Sequence, residues 1–593
     1  MTLPVWNLSD LYQSPTDEKL QADLLAATKA AQSFQLRYQG NLPLLTGDDL
    51  ATAIKDYEAL QERFGKVMSY AQLVFAADRD TDGNAQFYQN CQEQVNDAER
   101  HLLFFGLEIC DLEEEALAAH YAASLALCAY QKWLSKIRLF KPYQLSQELE
   151  ELLHDKAITA SANWVRLFDE SMSALRFPYQ GKMLSETEIL HIVSTSKNEA
   201  ERKEAAISFG GVLEQNKSLF TLILNTLAKD KAVEDRWRKF PHPLASRNLA
   251  NDINDQAVDA LIAAVRGSFG KLSHRYYKLK SQWLNKSPLD YWDRNAPLLG
   301  EDATVYSWEE AVAIVLEAYH SFSPELAALG RKFFDNAWID AEPRQGKDSG
   351  AFAHPTVPSV HPYLLVNFKG RNRDVMTLAH ELGHGVHQLL SAEQGYLLAD
   401  TPLTVAETAS VFGEMLTFQS LLRKTTTPQQ KMRLLAGKVE DMLNTVVRQI
   451  AFHLFEAEVH TRRQDHELSP QELSETWIGV QQESLGDAFV FDDSYKQYWS
   501  YIPHFIHSPF YVYAYAFGDC LVNSLYAVYE QQPDGFAAKY LALLKAGGSK
   551  DCVELLKPFN LNPLDPTFWQ QGLRVVERFI DEVEALTWLS AGH

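Results

Sequence analysis

The side chains best suited to chemistry lie in residues 376–387, which read Met-Thr-Leu-Ala-His380-Glu381-Leu-Gly-His384-Gly-Val-His387. On an α-helix, residues four apart are rotated by about 40° and separated by roughly 6 Å along the axis, so His380 and His384 can converge on one ion. Zinc accepts such nitrogens at about 2.0–2.1 Å and takes four ligands. Glu381 is turned about 100° from His380, where it can reach a metal-activated water without ligating, the position of a general base. The bland alternative is a pair of satisfied surface histidines. Arg373-Asp374 followed by Val-Met-Thr-Leu-Ala gives an acidic first turn and an apolar run, so the pattern sits on a helix. Gly383, between the histidines, costs about 1 kcal/mol against Ala in a helix interior, a cost that close approach of another group would explain.

A catalytic zinc site keeps three protein ligands and one open position. Position 390 is Leu, which excludes the long three-histidine motif, and His387 reads as a helix histidine or a donor to a ligand rather than a ligand. Downstream, Asp400-Thr-Pro402-Leu-Thr404-Val-Ala-Glu407-Thr-Ala-Ser410-Val-Phe-Gly-Glu414 reads as a turn and a new helix with Thr404 as N-cap. Glu407 is the candidate third ligand. It is equally the last member of a capping box begun at Thr404, returning a hydrogen bond to the backbone. Ser410 and Glu414, three and seven residues on, share its face and can orient the ligands or merely cap and pack.

His-Glu-Leu-Gly-His followed by Val-Ala-Glu-Thr-Ala-Ser-Val-Phe-Gly-Glu resembles the oligoendopeptidase F branch of the thimet oligopeptidase family of zinc peptidases. The resemblance runs through scattered motifs over most of 177–560 and is specific at 376–387 and 404–414. It implies His380, His384 and Glu407 as ligands of one zinc per chain, and Glu381 as the base. It also implies a mainly α, two-lobed helical peptidase with a deep channel and a small β-sheet beside the His-Glu helix. Gly350-Ala351-Phe352 would then be an edge strand bordering the cleft. Such an edge can pair with an extended peptide whatever its sequence. His354 and His361 each precede Pro and are weak ligand candidates.

Negative charge develops on the scissile carbonyl oxygen in the transition state, and a donor placed there is worth about 2.7–4 kcal/mol. Residues 502–518, Ile-Pro-His504-Phe-Ile-His507-Ser-Pro-Phe-Tyr511-Val-Tyr513-Ala-Tyr515-Ala-Phe-Gly518, supply imidazoles and phenols. They could equally be an aromatic helix buried in a core. In the family a His and a Tyr from a corresponding region serve the reaction. The spacing here matches best for His504 and Tyr513, with His507, Tyr511 and Tyr515 as substrate-binding alternatives.

The surrounding elements are helices. Apolar residues recur at three and four over Asp17–Gln39, Gly47–Ala77, Asn84–Leu107, Leu112–Ala123 and Leu145–Ser171. Trp6-Asn-Leu-Ser-Asp-Leu-Tyr12 leads in and packs on the core. Phe177–Ser185 carries a hairpin turn at Gln180-Gly181 and a cap at Ser185; a similar segment separates two parts in the family, so the resemblance implies an N-terminal helical lobe, 1–182, and a peptidase region, 183–593. Arg236–Asn254, with Pro241 and Pro243, reads as a polar loop, and Asp293 as part of a packed loop. Gly346–Gly370 is broken into short strands, long helices resume over Thr427–His460, and residues 533–593 close the chain with helices.

A formal charge of −23 over 593 residues, with no basic block, argues against nucleic-acid binding. Five scattered cysteines suggest neither a disulfide framework nor a structural zinc site. The start lacks a secretory pattern and no 18-residue apolar span follows, so no membrane is involved and the expected setting is cytoplasmic. The oligomeric state is not fixed by these features. The expected activity is zinc-dependent endopeptidase cleavage of short unstructured peptides. A zinc exopeptidase is the rival, and would need a fixed cation such as Arg236, Arg238 or Lys369 to hold a terminal carboxylate. A peptide-binding scaffold without turnover is a third reading, disfavoured by the intact His380-Glu381-His384 set.

Overall fold

Helices dominate because apolar residues recur at helical spacing, and several of the longer helices open on a side-chain cap. Asp17 accepts from Lys19 N at 2.9 Å to open Glu18–Tyr38, and Thr46 accepts from Asp49 N at 3.2 Å to open Gly47–Ala77. The computed structural model describes residues 3–157, 159–298 and 304–591. It is 73% helix and 3% strand, a mainly α protein. No helix among the described residues is long and apolar enough to cross a membrane.

The chain divides into two compact units, each assembled from three segments. The first unit comprises Met1–Lys141, Ala303–Lys424 and Val528–Leu561; the second comprises Pro142–Asp302, Thr425–Ala527 and Asn562–His593. A boundary at 182 falls inside the second unit, within the strand Lys182–Leu184.

In the first unit the N-terminal lead-in is core: Trp6, Leu11 and Tyr12 are buried, and Trp6 meets Tyr363 edge-on with centroids 6.0 Å apart. Tyr363 belongs to a three-stranded sheet in which Tyr363–Leu365 is central, parallel to Ile339–Asp340 and antiparallel to Phe352–His354. Phe352 pairs with Leu365 and His354 with Tyr363, leaving Phe352–His354 as an edge. The loop behind it is held by buried Lys347, whose ammonium donates to Asp340 Oδ1 and to Val366 O, both at 2.7 Å. The His-Glu helix, Asn372–Ser391, begins where Asp374 accepts from the backbone N–H groups of Lys369 and Arg371, each at 2.9 Å. Val375, Leu378, Leu382 and Val386 line its buried face. It touches the sheet through Gln388, which donates to Ala353 O at 3.3 Å.

In the second unit the hairpin Phe177–Tyr179 and Lys182–Leu184 turns through Gln180 and Gly181, both at positive φ, the geometry that matches strand twist. Ser185 and Glu188 form the capping box of the next helix. Asp293 is buried and ion-paired with Arg202 at 2.7 Å and Lys286 at 2.8 Å, a packed loop.

Several helix boundaries differ from expectation. The run Leu145–Ser171 is two helices, Gln147–Ala157 and Ser161–Ala174. Asn84–Glu99 closes through a 3₁₀ turn before Leu103–Asp111. The segment Arg236–Asn254 is only partly loop: one helix runs to Arg238, Lys239 turns left-handed at φ 65°, and Ala245–Ala250 is helical. Thr427–His460 is broken at Val446 into Pro428–Thr445 and Val447–Asp465. Cys91, Cys110, Cys520 and Cys552 are buried, and Cys128 is partly so.

Candidate metal centre

Glycine at two helix-interior positions sets the geometry. A Cβ at Gly383 would stand 2.5 Å from Ala409 O and 2.6 Å from Ser410 Cα, so only Gly lets the His-Glu helix lie against Thr408–Lys424. On that second helix, a Cβ at Gly413 would overlap the Tyr319 hydroxyl. Tyr319 is wholly buried and donates to Ala379 O at 2.6 Å, one residue before His380. Sequence reasoning missed Tyr319 and Gly413. The signal was the same as at Gly383, a glycine inside an apolar helix.

This approach brings Glu407 to the histidines. A short helix, Leu403–Ala406, begins after Pro402, so Thr404 lies inside it rather than at its N-cap. Glu407 follows at φ −77°, ψ −1°, in the joint before Thr408–Lys424. Its Oε2 stands 3.4 Å from His380 Nε2 and 3.4 Å from His384 Nε2. The Ser410 hydroxyl donates to the same oxygen at 2.7 Å. His380 Nδ1 faces Glu414 Oε2 at 3.3 Å, the contact that fixes a ligating imidazole's tautomer and orientation.

The spacing discriminates between a hydrogen bond and an ion. A charge-assisted N–H···O contact is about 2.7–2.9 Å. Two ligands at about 2.05 Å on a tetrahedral ion are separated by about 3.4 Å. Both imidazole–carboxylate distances take the second value, and the three donor atoms lie within 4.8 Å of one another. Two imidazoles and a carboxylate, all partly exposed, fit zinc with a position left open.

The electrostatics agree. Burial pulls His380 down, but Glu407 and Glu414 outweigh it and hold it up to about 10. Burial pushes Glu407 up, yet the two imidazoles hold it far below the carboxylate range. A proton on His380 thus sits where a dication would replace it, and the Glu407 carboxylate is already ionised, as a ligand must be. Glu381 is 7% exposed, and burial raises its pKa, as suits a base that must later act as an acid.

Other candidates are placed differently. His387 is buried, its Nε2 3.4 Å from the Thr401 hydroxyl, and it is not among the convergent donors. Gly350 and Ala351 precede the edge strand that Phe352 opens. His354 accepts from Thr356 N at 3.0 Å, and His361 stacks on Trp338 and meets Asp10 at 2.8 Å, so both are structural.

In the second unit Tyr513 is turned inward. It is 0% exposed, and its hydroxyl accepts from Asn251 Nδ2 at 2.8 Å, because the helix Tyr513–Gln531 starts there and aims that side chain into the core. Tyr511 and Tyr515 keep exposed surface, their rings 5.2 Å apart, and the Tyr515 hydroxyl lies 3.3 Å from His504 Nε2. His507 meets Asp169 at 2.8 Å on the surface. Arg238 is tied to Glu150 and Glu234.

Beside His384 the first unit encloses a cavity of about 560 Å³. It is bounded by the segment after the edge strand, by the later turns of the His-Glu helix, and by residues 396–406.

Comparison with known proteins narrows the class. The family description Oligopeptidase F matches residues 108–177, and Peptidase family M3 matches residues 192–575. Oligopeptidase PepF of Bacillus subtilis is 26% identical, covering 98% of this chain and 87% of its own. Oligoendopeptidase F, chromosomal, of Lactococcus lactis subsp. cremoris is 24% identical, covering 98% and 97%. The crystal structure of oligoendopeptidase-F from Enterococcus faecium superposes with a TM-score of 0.72 at 22% identity, covering 96% of this chain and 99% of its own. That of a Chlamydophila abortus protein reaches 0.85 at 23% identity, covering 99% and 100%. With a matching family model over most of its length, this chain is a metalloendopeptidase belonging to peptidase family M3.

Proposed function

We propose that the protein is a zinc-dependent oligoendopeptidase that hydrolyses internal bonds of short unstructured peptides. The observation that carries this reading is the placing of Glu407 Oε2 at 3.4 Å from both imidazoles, a tetrahedral edge rather than a hydrogen bond. Zinc held by His380, His384 and Glu407 would supply a Lewis acid that acidifies water and polarises the scissile carbonyl.

Glu381 accepts the proton of the attacking water and delivers it to the leaving amine. Glu414 holds the His380 ring through Nδ1, and Ser410 fixes the Glu407 carboxylate. Phe352–His354 is the edge of its sheet, with Gly350 and Ala351 leading in, and offers main-chain pairing to an extended substrate beside the Ala353 carbonyl that Gln388 engages. Of the phenols expected as donors in 504–515, Tyr511 and Tyr515, beside His504, keep exposed surface within the second unit. The division of the sequence at 182/183 falls in the gap between the two family matches, which cover residues 108–177 and 192–575.

An internally quenched peptide blocked at both ends tests the reading. The zinc-loaded wild type is expected to cleave it, and Glu381→Gln to lose about 10²–10⁴ in kcat while keeping its metal. Cleavage confined to peptides with a free terminus would make the enzyme an exopeptidase. Near-wild-type turnover by Glu381→Gln would remove Glu381 as the base.

A further inference from the structure

The cavity beside His384 takes no part in the chemistry above, yet it is placed to meet the substrate. It begins at Pro355, directly after the edge strand, and reaches His384. A peptide paired on that edge and cut beside His384 would carry a residue flanking the scissile bond past its mouth. Its volume, about 560 Å³, lies within the roughly 300–1,000 Å³ of ligand pockets.

The lining has two characters. Val357, Pro358, Val360, Leu397 and the Tyr396 ring form apolar walls suited to an aliphatic stem. Asp400 is exposed, and it is the one carboxylate in the lining, with no Lys or Arg there to oppose it. Lys136, outside the lining, is the cation whose field reaches Asp400. Of the three lining imidazoles, His384 belongs to the metal centre, His361 faces Asp10, and His387 faces the Thr401 hydroxyl. Apolar walls with a single negative charge select a long cation over an apolar or acidic group.

We propose that this cavity is a specificity subsite for a cationic group of the peptide, with Asp400 as its counter-charge. Two sources share that chemistry: an Arg or Lys side chain next to the scissile bond, or the N-terminal ammonium of a short substrate. The inference rests on the reading of His380, His384 and Glu407 as the catalytic centre.

The test compares matched quenched peptides carrying Arg, Lys, norleucine or Glu at each position flanking the cut, with free and with acetylated N-termini. In the wild type, Arg and Lys are expected to exceed norleucine by about tenfold in kcat/KM at one position, mainly through KM, and to lose that advantage in high salt. Asp400→Asn is expected to bring the Arg-to-norleucine ratio near unity. An advantage that vanishes on acetylation assigns the cation to the terminus; one that survives assigns it to the side chain. A ratio unchanged by Asp400→Asn would overturn the subsite.

Binding keeps the question separate from turnover. An acetylated Arg peptide is expected to bind Glu381→Gln about tenfold more tightly than it binds the Glu381→Gln/Asp400→Asn double variant. Equal affinities would reject the subsite. Failure of the wild type to cleave any peptide, with that difference in affinity intact, would reject the proposed activity alone.

Discussion

Two regions of this chain each gather two histidines and a glutamate, and they do opposite things with them. On the helix Val447–Asp465, His453, Glu456 and His460 fall within about 60° of one another, a closer sequence grouping than His380, His384 and Glu407. Yet His453, Glu456 and His460 are only 2%, 2% and 4% exposed. Burial lowers His453 to about 4 and His460 to about 3, and raises Glu456 to about 8, so each favours its neutral form. Among the described residues, His453 Nδ1 and Glu456 Oε2 have no hydrogen-bond partner, and these side chains do not converge as possible ligands. Glu456 Oε1 accepts from Phe510 N at 2.9 Å, where Phe510 is held at φ 60°. In the first region the donors come from two segments, stay partly exposed, and perturb one another's charge rather than losing it. Residue type and spacing nominate a site; convergence from a second segment and access to solvent decide it.

The largest effect that separates the regions is expected at Gly383. Gly383→Ala drives a methyl group into Ala409 and Ser410, and overpacking of this kind costs about 1–3 kcal/mol or more. The same shift moves Glu407 away from the histidines. Thermal unfolding and metal analysis of Gly383→Ala should therefore show a lowered Tm together with weakened metal binding. A stable variant with wild-type metal content would mean that the close approach of the two helices does not set the centre.

Glu456 gives the next effect, and its sign follows from proton binding. In the native state its carboxyl stays protonated up to about pH 8, whereas in the unfolded chain it ionises near about 4.3. Between these values the unfolded state binds fewer protons, so this group lowers stability as pH rises from about 4 to about 8. Glu456→Gln keeps an acceptor for Phe510 N and cannot ionise. It should gain stability on the wild type by on the order of a few kcal/mol at pH 8, and nothing at pH 4, in denaturant titrations at the two pH values. A pH-independent difference would contradict the buried, protonated carboxyl.

The smallest effect sharpens the choice among phenols. Tyr513→Phe removes a buried hydrogen bond to Asn251 and should cost about 1 kcal/mol in stability, with kcat within a few-fold of wild type. A loss in kcat of a hundredfold or more, without loss of fold, would return Tyr513 to the reaction.

Much of the first region was legible because its signals are local. The helix period, the acidic first turn and the misplaced glycine are all written within residues 373–387, and the glycine announced a neighbour before the neighbour was known. The choice between Glu407 as ligand and as cap was not local, since it depends on where the preceding helix starts, and Pro402 moved that start one residue ahead of Thr404. The inward setting of Tyr513 was hidden for a related reason. In a run of alternating aromatics, the first residue of the helix decides which phenol is turned inward, and helix ends are the least determined feature of a sequence. The interleaving of three segments into each unit is set by long-range packing and leaves no mark in composition.

The most direct test of the central claim is metal content. Wild type and Glu407→Ala are each dialysed to equilibrium with the same low free zinc and measured for bound metal. The account predicts one zinc per chain in the wild type and essentially none in Glu407→Ala. Zinc retained at one per chain by Glu407→Ala would show that the carboxylate between the two imidazoles is not a ligand, and would contradict the centre described above.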